Sequence, residues 1–302
     1  MKFSVMVLGA NSAIPTANRF PTSQVLNVNE TYYLVDCGEG TQIQLRKNKI
    51  KFQRITAIFI SHLHGDHYFG LIGLLNTMHL LKREKHLTIV CPEGLKAILQ
   101  IQFDAGNTTL NYPINFQFIT FENGAQAYTD NKITVEILKL NHRINCAGFV
   151  FTENKKEPNI NKSAVADYQL TTDEIKALKR GDTLNKNGVV LGDNILDVVH
   201  TTRKYAYVTD TKKNLKIIPF IENADLLYHE ATFLDSEKLL AKKTFHCTTL
   251  QAADIANRSK AKQLMIGHYS ARYNDLDVLL EETKTSFQNT VLALEGKTYE
   301  LG

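Results

Sequence analysis

The segment Ser61-His62-Leu63-His64-Gly65-Asp66-His67 constrains this chain more than any other, because four side chains able to hold a metal fall within six residues. It follows the apolar run Ala57-Ile58-Phe59-Ile60, which reads as a β-strand. On an extended chain His62 and His64, two positions apart, project to the same side. Gly65 permits a sharp turn, and Asp66 and His67 then stand at the head of the next helix. One short loop thus serves two adjacent ions, with the histidine pair facing one and Asp66 with His67 facing the other.

Two ions need further donors, and three more apolar runs end on one. The run 137–141 leads into His142, 205–209 into Asp210, and 264–267 into His268. Taken singly, each is also the usual polar residue where a strand meets solvent. Taken together, four strands that end on a donor predict an α/β fold whose strand C-terminal ends converge on one site. Imidazole and carboxylate donors suit Zn2+, two ions per subunit, with Mn2+ as an alternative occupant. Asp210 is the natural bridge, because a carboxylate offers two oxygens. Two such cations lower the pKa of a shared water and clamp the attacking and leaving oxygens of an in-line displacement. Cys37, Cys91, Cys146 and Cys247 form no C-x-x-C pair and read as buried, reduced thiols of a cytoplasmic protein.

The donors also decide the domain organisation. A length of 302 residues suits two domains or one large one. A cut near residue 150 would divide His62–His142 from Asp210 and His268, so residues 1–302 are read as a single domain. Within it, 153–202 is a polar stretch too long for a plain connection, and is read as an inserted arm. Thr171–Lys179 inside it carries the hydroxyl-then-acid signature of a capped helix. The net charge of +4 excludes a histone-like, charge-driven DNA binder but not a local basic surface. Met1–Gly9 reads as a first strand and not a signal segment, and no apolar run approaches the ~20 residues of a membrane span.

Other side chains admit two readings each. Glu230 ends the run 226–229, and His246 precedes a helix start. His246 is either a neighbour of that helix cap or a proton donor to a leaving group, oriented by a carboxylate. Arg46, Lys47, Lys49, Lys51 and Arg54 have no acidic residue among them from Thr41 to Thr56. They form either a solvated loop or a rim contacting RNA phosphates. Arg272 and Tyr273, just past His268, are candidates to hold phosphates or stack a base. His79, His86, His200 and His229 are assigned structural or surface places.

These residues together resemble a known family. His62–His67 matches the signature loop of the metallo-β-lactamase superfamily. Asp36-Cys37-Gly38-Glu39-Gly40-Thr41-Gln42, His229-Glu230-Ala231-Thr232-Phe233, the run 245–253 and His268-Tyr269-Ser270-Ala271-Arg272-Tyr273 are similar to ribonuclease Z, the tRNA 3′-end processing endonucleases, in their short form. The resemblance implies an αββα sandwich, usually homodimeric, acting on precursor tRNA. It implies one zinc on His62, His64 and His142 and a second on Asp66, His67 and His268, with Asp210 bridging. Asp66 would be the catalytic proton acceptor, while His246 and Glu230 would assist leaving-group departure. The products would be a 3′-hydroxyl on the tRNA and a 5′-phosphate on the trailer. The stretch 153–202 sits where relatives carry an arm that grips tRNA. It departs from them in lacking a Gly-Pro pair and in its balanced charge, nine basic against eight acidic residues over 153–204. The rival readings are another hydrolase of this fold, a phosphodiesterase or glyoxalase II-like thioesterase, and a zinc-stabilised RNA-binding protein without catalysis.

Overall fold

The structure is a computed structural model and describes residues 2–154, 158–196 and 202–302. His200 lies outside them. The chain forms two compact units, one of Met1–Thr152 with Arg203–Gly302 and one of Glu153–Thr202.

In the larger unit the chain first lays down β1 (Phe3–Gly9), β2 (Ser23–Val28), β3 (Thr31–Val35), β4 (Ile55–Phe59), β5 (Leu87–Cys91) and β6 (Ile114–Phe118). It then adds β7 (Gln126–Thr129), β8 (Ile133–Lys139) and β9 (Ala147–Glu153). The smaller unit holds β10 (Leu184–Lys186) and β11 (Val189–Leu191). The chain returns through β12 (Lys204–Val208), β13 (Leu226–Glu230), β14 (Leu264–Gly267), β15 (Thr290–Leu292) and β16 (Thr298–Glu300). Two seven-stranded sheets result, ordered β16-β1-β2-β3-β4-β5-β6 and β15-β14-β13-β12-β9-β8-β7. β3 through β6 run parallel, as do β12 through β15. Parallel neighbours start and finish together, so their C-terminal ends line one edge of each sheet.

The sheets face each other across an aromatic core. Phe59 of β4 meets Phe149 and Phe151 of β9 and Tyr128 of β7, with ring centroids 5.1–5.7 Å apart. Outside the first sheet pack α1 (Thr41–Lys47), α2 (Gly65–Tyr68), α3 (Leu71–Leu80) and α4 (Gly94–Ala105), burying Leu45, Leu71, Leu74, Leu75, Leu95 and Leu99 against it. Helix and strand alternate in the second half as well. The layers are therefore helix, sheet, sheet, helix.

The smaller unit contains α5 (Lys162–Asp167) and α6 (Thr172–Lys179) beside the β10–β11 hairpin. α6 starts with a capping box in which Thr171 and Glu174 satisfy each other's backbone N–H groups. The hairpin turns on Asn187 and Gly188, both with positive φ, as a two-residue turn between twisted strands requires. Its core is Ile160, Ala164, Leu170, Leu178, Leu191 and Ile195. In the larger unit follow α7 (Ile218–Ile221), α8 (Lys238–Thr244), α9 (Thr249–Arg258) and α10 (Asp277–Lys284). α9 and α10 bury Ala252, Ile255, Ala256 and Leu279 in the core of the second sheet.

The apolar periodicity after Gly65 predicts one helix over 68–83. The structure instead breaks it at Gly70 into α2 and α3. Gly70 N–H donates to Cys37 O at 2.9 Å, and a Cβ there would sit 2.2 Å from Gly38 O. The close approach sets α2 against the loop after β3. No helix among the described residues is long and apolar enough to cross a membrane. Because Phe59 joins the two sheets, Phe59→Ala is expected to cost about 3–5 kcal/mol of unfolding free energy. Urea denaturation measures this, and a loss under 1 kcal/mol would contradict the packing described.

Candidate metal centre

Each donor is delivered by the end of a strand. β4 leads to His62, β8 to His142, β12 to Asp210 and β14 to His268, while Glu230 is the last residue of β13. At this edge the sheets are joined by Ala147 N–H donating to Ser61 O at 3.0 Å.

The seven predicted donors converge as two groups. His64 Nδ1 lies 3.0 Å from His62 Nε2 and 3.2 Å from His142 Nε2. Asp210 Oδ2 faces this trio, 3.8 Å from His62 Nε2 and 3.6 Å from His142 Nε2. Its other oxygen, Oδ1, faces the second group, 3.3 Å from His67 Nε2 and 3.1 Å from His268 Nε2. Asp66 Oδ2 completes that group at 3.5 and 3.7 Å from the same two nitrogens. Asp210 thus stands between the groups with one oxygen toward each.

Outer partners orient four of the five imidazoles. His67 Nδ1 is 2.7 Å from Asp36 Oδ2, His268 Nδ1 is 3.1 Å from Thr232 Oγ1, and His142 Nδ1 is 3.2 Å from Phe245 O. His62 Nδ1 lies 3.0 Å from Ser61 Oγ, which itself donates to Asp36. In these four rings the partner sits on the outer Nδ1 and Nε2 faces inward, whereas His64 turns Nδ1 inward, the orientation that metal-binding histidines require. The buried Nε2 atoms of His67 and His268 have no hydrogen-bond partner. Such orphaned acceptors fit a cation between them.

The electrostatics agree. Burial holds His62 well below the usual range, and His142 down at about 4, so both rings are neutral and able to bind a cation. Burial also opposes charge on His67, but Asp66, Asp210 and Asp36 outweigh it and push it well above the usual range. Burial would raise Asp210, yet His268 and His67 hold it well below an ordinary carboxyl. The site stabilises carboxylates and calls for positive charge.

Beside the cluster lies a buried acid–imidazole pair. Glu230 Oε1 accepts from His246 Nδ1 at 3.0 Å and from Thr211 N–H at 3.0 Å, and its Oε2 accepts from Thr232 Oγ1 at 2.7 Å. Burial disfavours a charged His246, but Glu230 overcomes this and raises it to about 9. His246 and Asp66 both border a cavity of about 460 Å3 in front of the cluster.

Four non-glycine residues around the site adopt left-handed backbone: Ala13 (φ 63°), Asp36 (54°), Phe245 (65°) and His268 (58°). Each costs of order 1–3 kcal/mol. Each also places a functional atom: Ala13 N–H donates to Asp66 Oδ2 at 2.8 Å, Asp36 and Phe245 accept from ligand imidazoles, and His268 is itself a donor.

Other expected residues stand elsewhere. Lys47, Lys49 and Lys51 do not line the cavity. They precede β4, whereas His62 lies past its opposite end, roughly 17 Å along the strand. Arg272 and Tyr273 do not line it either; both are bonded to Glu237, and Tyr273 Oη also accepts from Leu234 N–H. Among the remaining histidines, His229 is buried with Nδ1 on Glu230 O. Asp36, Thr232 and the Phe245 carbonyl received no role from the sequence. The motifs holding Asp36 and Thr232 were the available signal; a backbone carbonyl leaves none.

Facing sheets with this His/Asp cluster at one edge define a metallo-β-lactamase-fold protein with a divalent-metal centre. The fold is similar to that of a metallo-β-lactamase fold protein of Bacillus subtilis (TM-score 0.69, 21% identity, 99% of this chain and 100% of that one). It is also similar to the human short-form tRNase Z (TM-score 0.72, 28% identity, 99% of each chain). Ribonuclease Z of Phocaeicola vulgatus is 44% identical over 97% of this chain and 96% of its own. A family model described as anti-Pycsar protein Apyc1 matches residues 3–202, which stops short of Asp210 and His268. The chain belongs to the ribonuclease Z family along nearly its whole length, and to the family of the Apyc1 model over residues 3–202.

Chelator treatment is expected to lower Tm by about 5–10 °C, since a ligand at a thousandfold its Kd contributes about 4 kcal/mol. Readdition of Zn2+ restores it. A Tm indifferent to chelator would show that the cluster holds no ion.

Proposed function

We propose that this chain is a two-zinc endoribonuclease that removes the 3′ trailer of precursor tRNA, leaving a 3′-hydroxyl on the tRNA and a 5′-phosphate on the trailer. The substrate rests on the full-length likeness to proteins named ribonuclease Z and tRNase Z. The chemistry rests on one observation, a carboxylate shared between two donor groups beside a hydrogen-bonded His–Glu pair.

His62, His64, His142 and Asp210 Oδ2 would hold one ion, and Asp66, His67, His268 and Asp210 Oδ1 the other. When bound, such a pair supplies positive charge to the phosphodiester and acidity to a water. Asp66 is positioned by Ala13 N–H through Oδ2, and its Oδ1 takes the proton of the attacking water. His246 enters the reaction protonated at neutral pH and gives its Nε2 proton to the departing 3′ oxygen. Glu230, on Nδ1, keeps that ring oriented and charged. The unit Glu153–Thr202 is the RNA-gripping arm of a single-domain enzyme. The same family likeness supports a homodimer acting in the cytoplasm, with Mn2+ as an alternative occupant.

Asp66→Ala is expected to reduce precursor cleavage roughly a thousandfold while tRNA binding persists. Near-normal turnover would remove Asp66 from the mechanism. Deleting 157–199 is expected to abolish tight tRNA binding yet spare hydrolysis of bis(p-nitrophenyl) phosphate. Wild-type protein that hydrolyses a thioester in preference to that phosphodiester would favour the thioesterase reading.

A further inference from the structure

The cavity before the cluster carries acid of its own, in Glu39, Asp66 and Asp210. Arg143 is the one lysine or arginine among its described lining residues. It directly follows His142 on the turn leaving β8, is exposed, and has no acidic partner among the described residues. A second cation stands on the adjoining turn. Lys212 lies two residues past Asp210, and the turns are stitched together by Lys212 N–H to Asn141 O and Asn141 N–H to Thr211 Oγ1, both 2.9 Å. Lys212 Nζ sits 3.4 Å from the ring centroid of Phe245, the residue before His246, and it too has no acidic partner among the described residues.

The neighbouring Lys213, by contrast, is neutralised. It pairs with Asp254 at 2.8 Å. Arg143 and Lys212 keep an unopposed charge where a polyanion must enter, and the Phe245 ring holds the lysine head in place. Arg143 lines the cavity beside His142, whose ring is 5.5 Å from that of His246, and Lys212 adjoins this side through Phe245. Ser12 to Pro15, which also line the cavity, carry no charged side chain.

We propose that Arg143 and Lys212 grip backbone phosphates of the RNA strand on the leaving-group side of the scissile bond, those of the tRNA's own 3′ end and not those of the trailer. The inference rests on the reading above, in which His246 protonates the 3′ oxygen that departs with the tRNA. The arginine fork suits a phosphate in bidentate fashion and the lysine supplies a point charge. Phosphate contacts position a strand without reading its sequence, which suits an enzyme that serves many tRNAs.

The test uses metal-loaded wild type, Arg143→Ala, Lys212→Ala, the double variant and Arg143→Lys, with metal content matched. Substrates are a precursor tRNA with a one-nucleotide trailer, the same tRNA with a long trailer, and bis(p-nitrophenyl) phosphate, which has no flanking phosphates. Each alanine variant is expected to lose about tenfold in kcat/KM on both precursors, chiefly through KM, and to lessen the salt slope of tRNA binding by about 1. The loss on precursor should exceed that on the small diester at least tenfold, and Arg143→Lys should recover part of it. Equal losses on all three substrates, a loss confined to the long trailer, or no loss would each overturn the proposal. Wild type that hydrolyses the small diester but cuts neither precursor would overturn the underlying tRNA reading, and this inference with it.

Discussion

Asp210 is buried among four imidazoles, and no lysine or arginine reaches it among the described residues. A carboxylate in that position costs several kcal/mol unless positive charge compensates it. That requirement organises the rest of the site. The compensating donors come from three other strand ends, so both sheets must bring their C-terminal edges together. The histidines must then present lone pairs and not N–H groups to the centre, which is why Asp36, Ser61, Thr232 and the Phe245 carbonyl occupy their outer nitrogens.

The same demand explains where the backbone is strained. Left-handed conformations at Ala13, Asp36, Phe245 and His268 would be cheaper with glycine, yet each residue keeps a side chain. At Asp36 and His268 the side chain itself is used. At Ala13 and Phe245 the main chain is used, and at Phe245 the ring additionally holds Lys212. The packed sheets on either side, with Phe59 between them, supply the rigidity that keeps these conformations in place.

The donors were legible because their signals are local: a spacing of two in His62 and His64, and apolar runs that end on His142, Asp210 and His268. What escaped was long-range. Asp36 meets His67 only after β3 and β4 pair, and Phe245 acts through a carbonyl that any residue possesses. The basic run 46–54 shows charge but not which end of β4 it occupies. Gly70 broke an otherwise periodic helix because of a close approach to the loop at Gly38, which pattern alone does not reveal. Ser23, Gln24 and Asn27 give β2 the polar composition of a loop, although it is buried throughout. Gln24 accepts from Tyr205 across the core, and Ser23 donates to the Asp36 carbonyl at the end of the neighbouring strand.

The dispersal of the donors has a kinetic consequence. His62 and His268 lie two hundred and six positions apart in sequence, and β1 pairs with β16, so contacts of very large separation close the fold. Chains dominated by such contacts fold slowly, because loop-closure entropy is met before the pairing that rewards it. An N-terminal fragment ending before β14 holds six of the seven donors but not His268. During synthesis the centre can therefore be completed only after β14 has emerged, and hydrolytic competence arrives as one of the last events of folding.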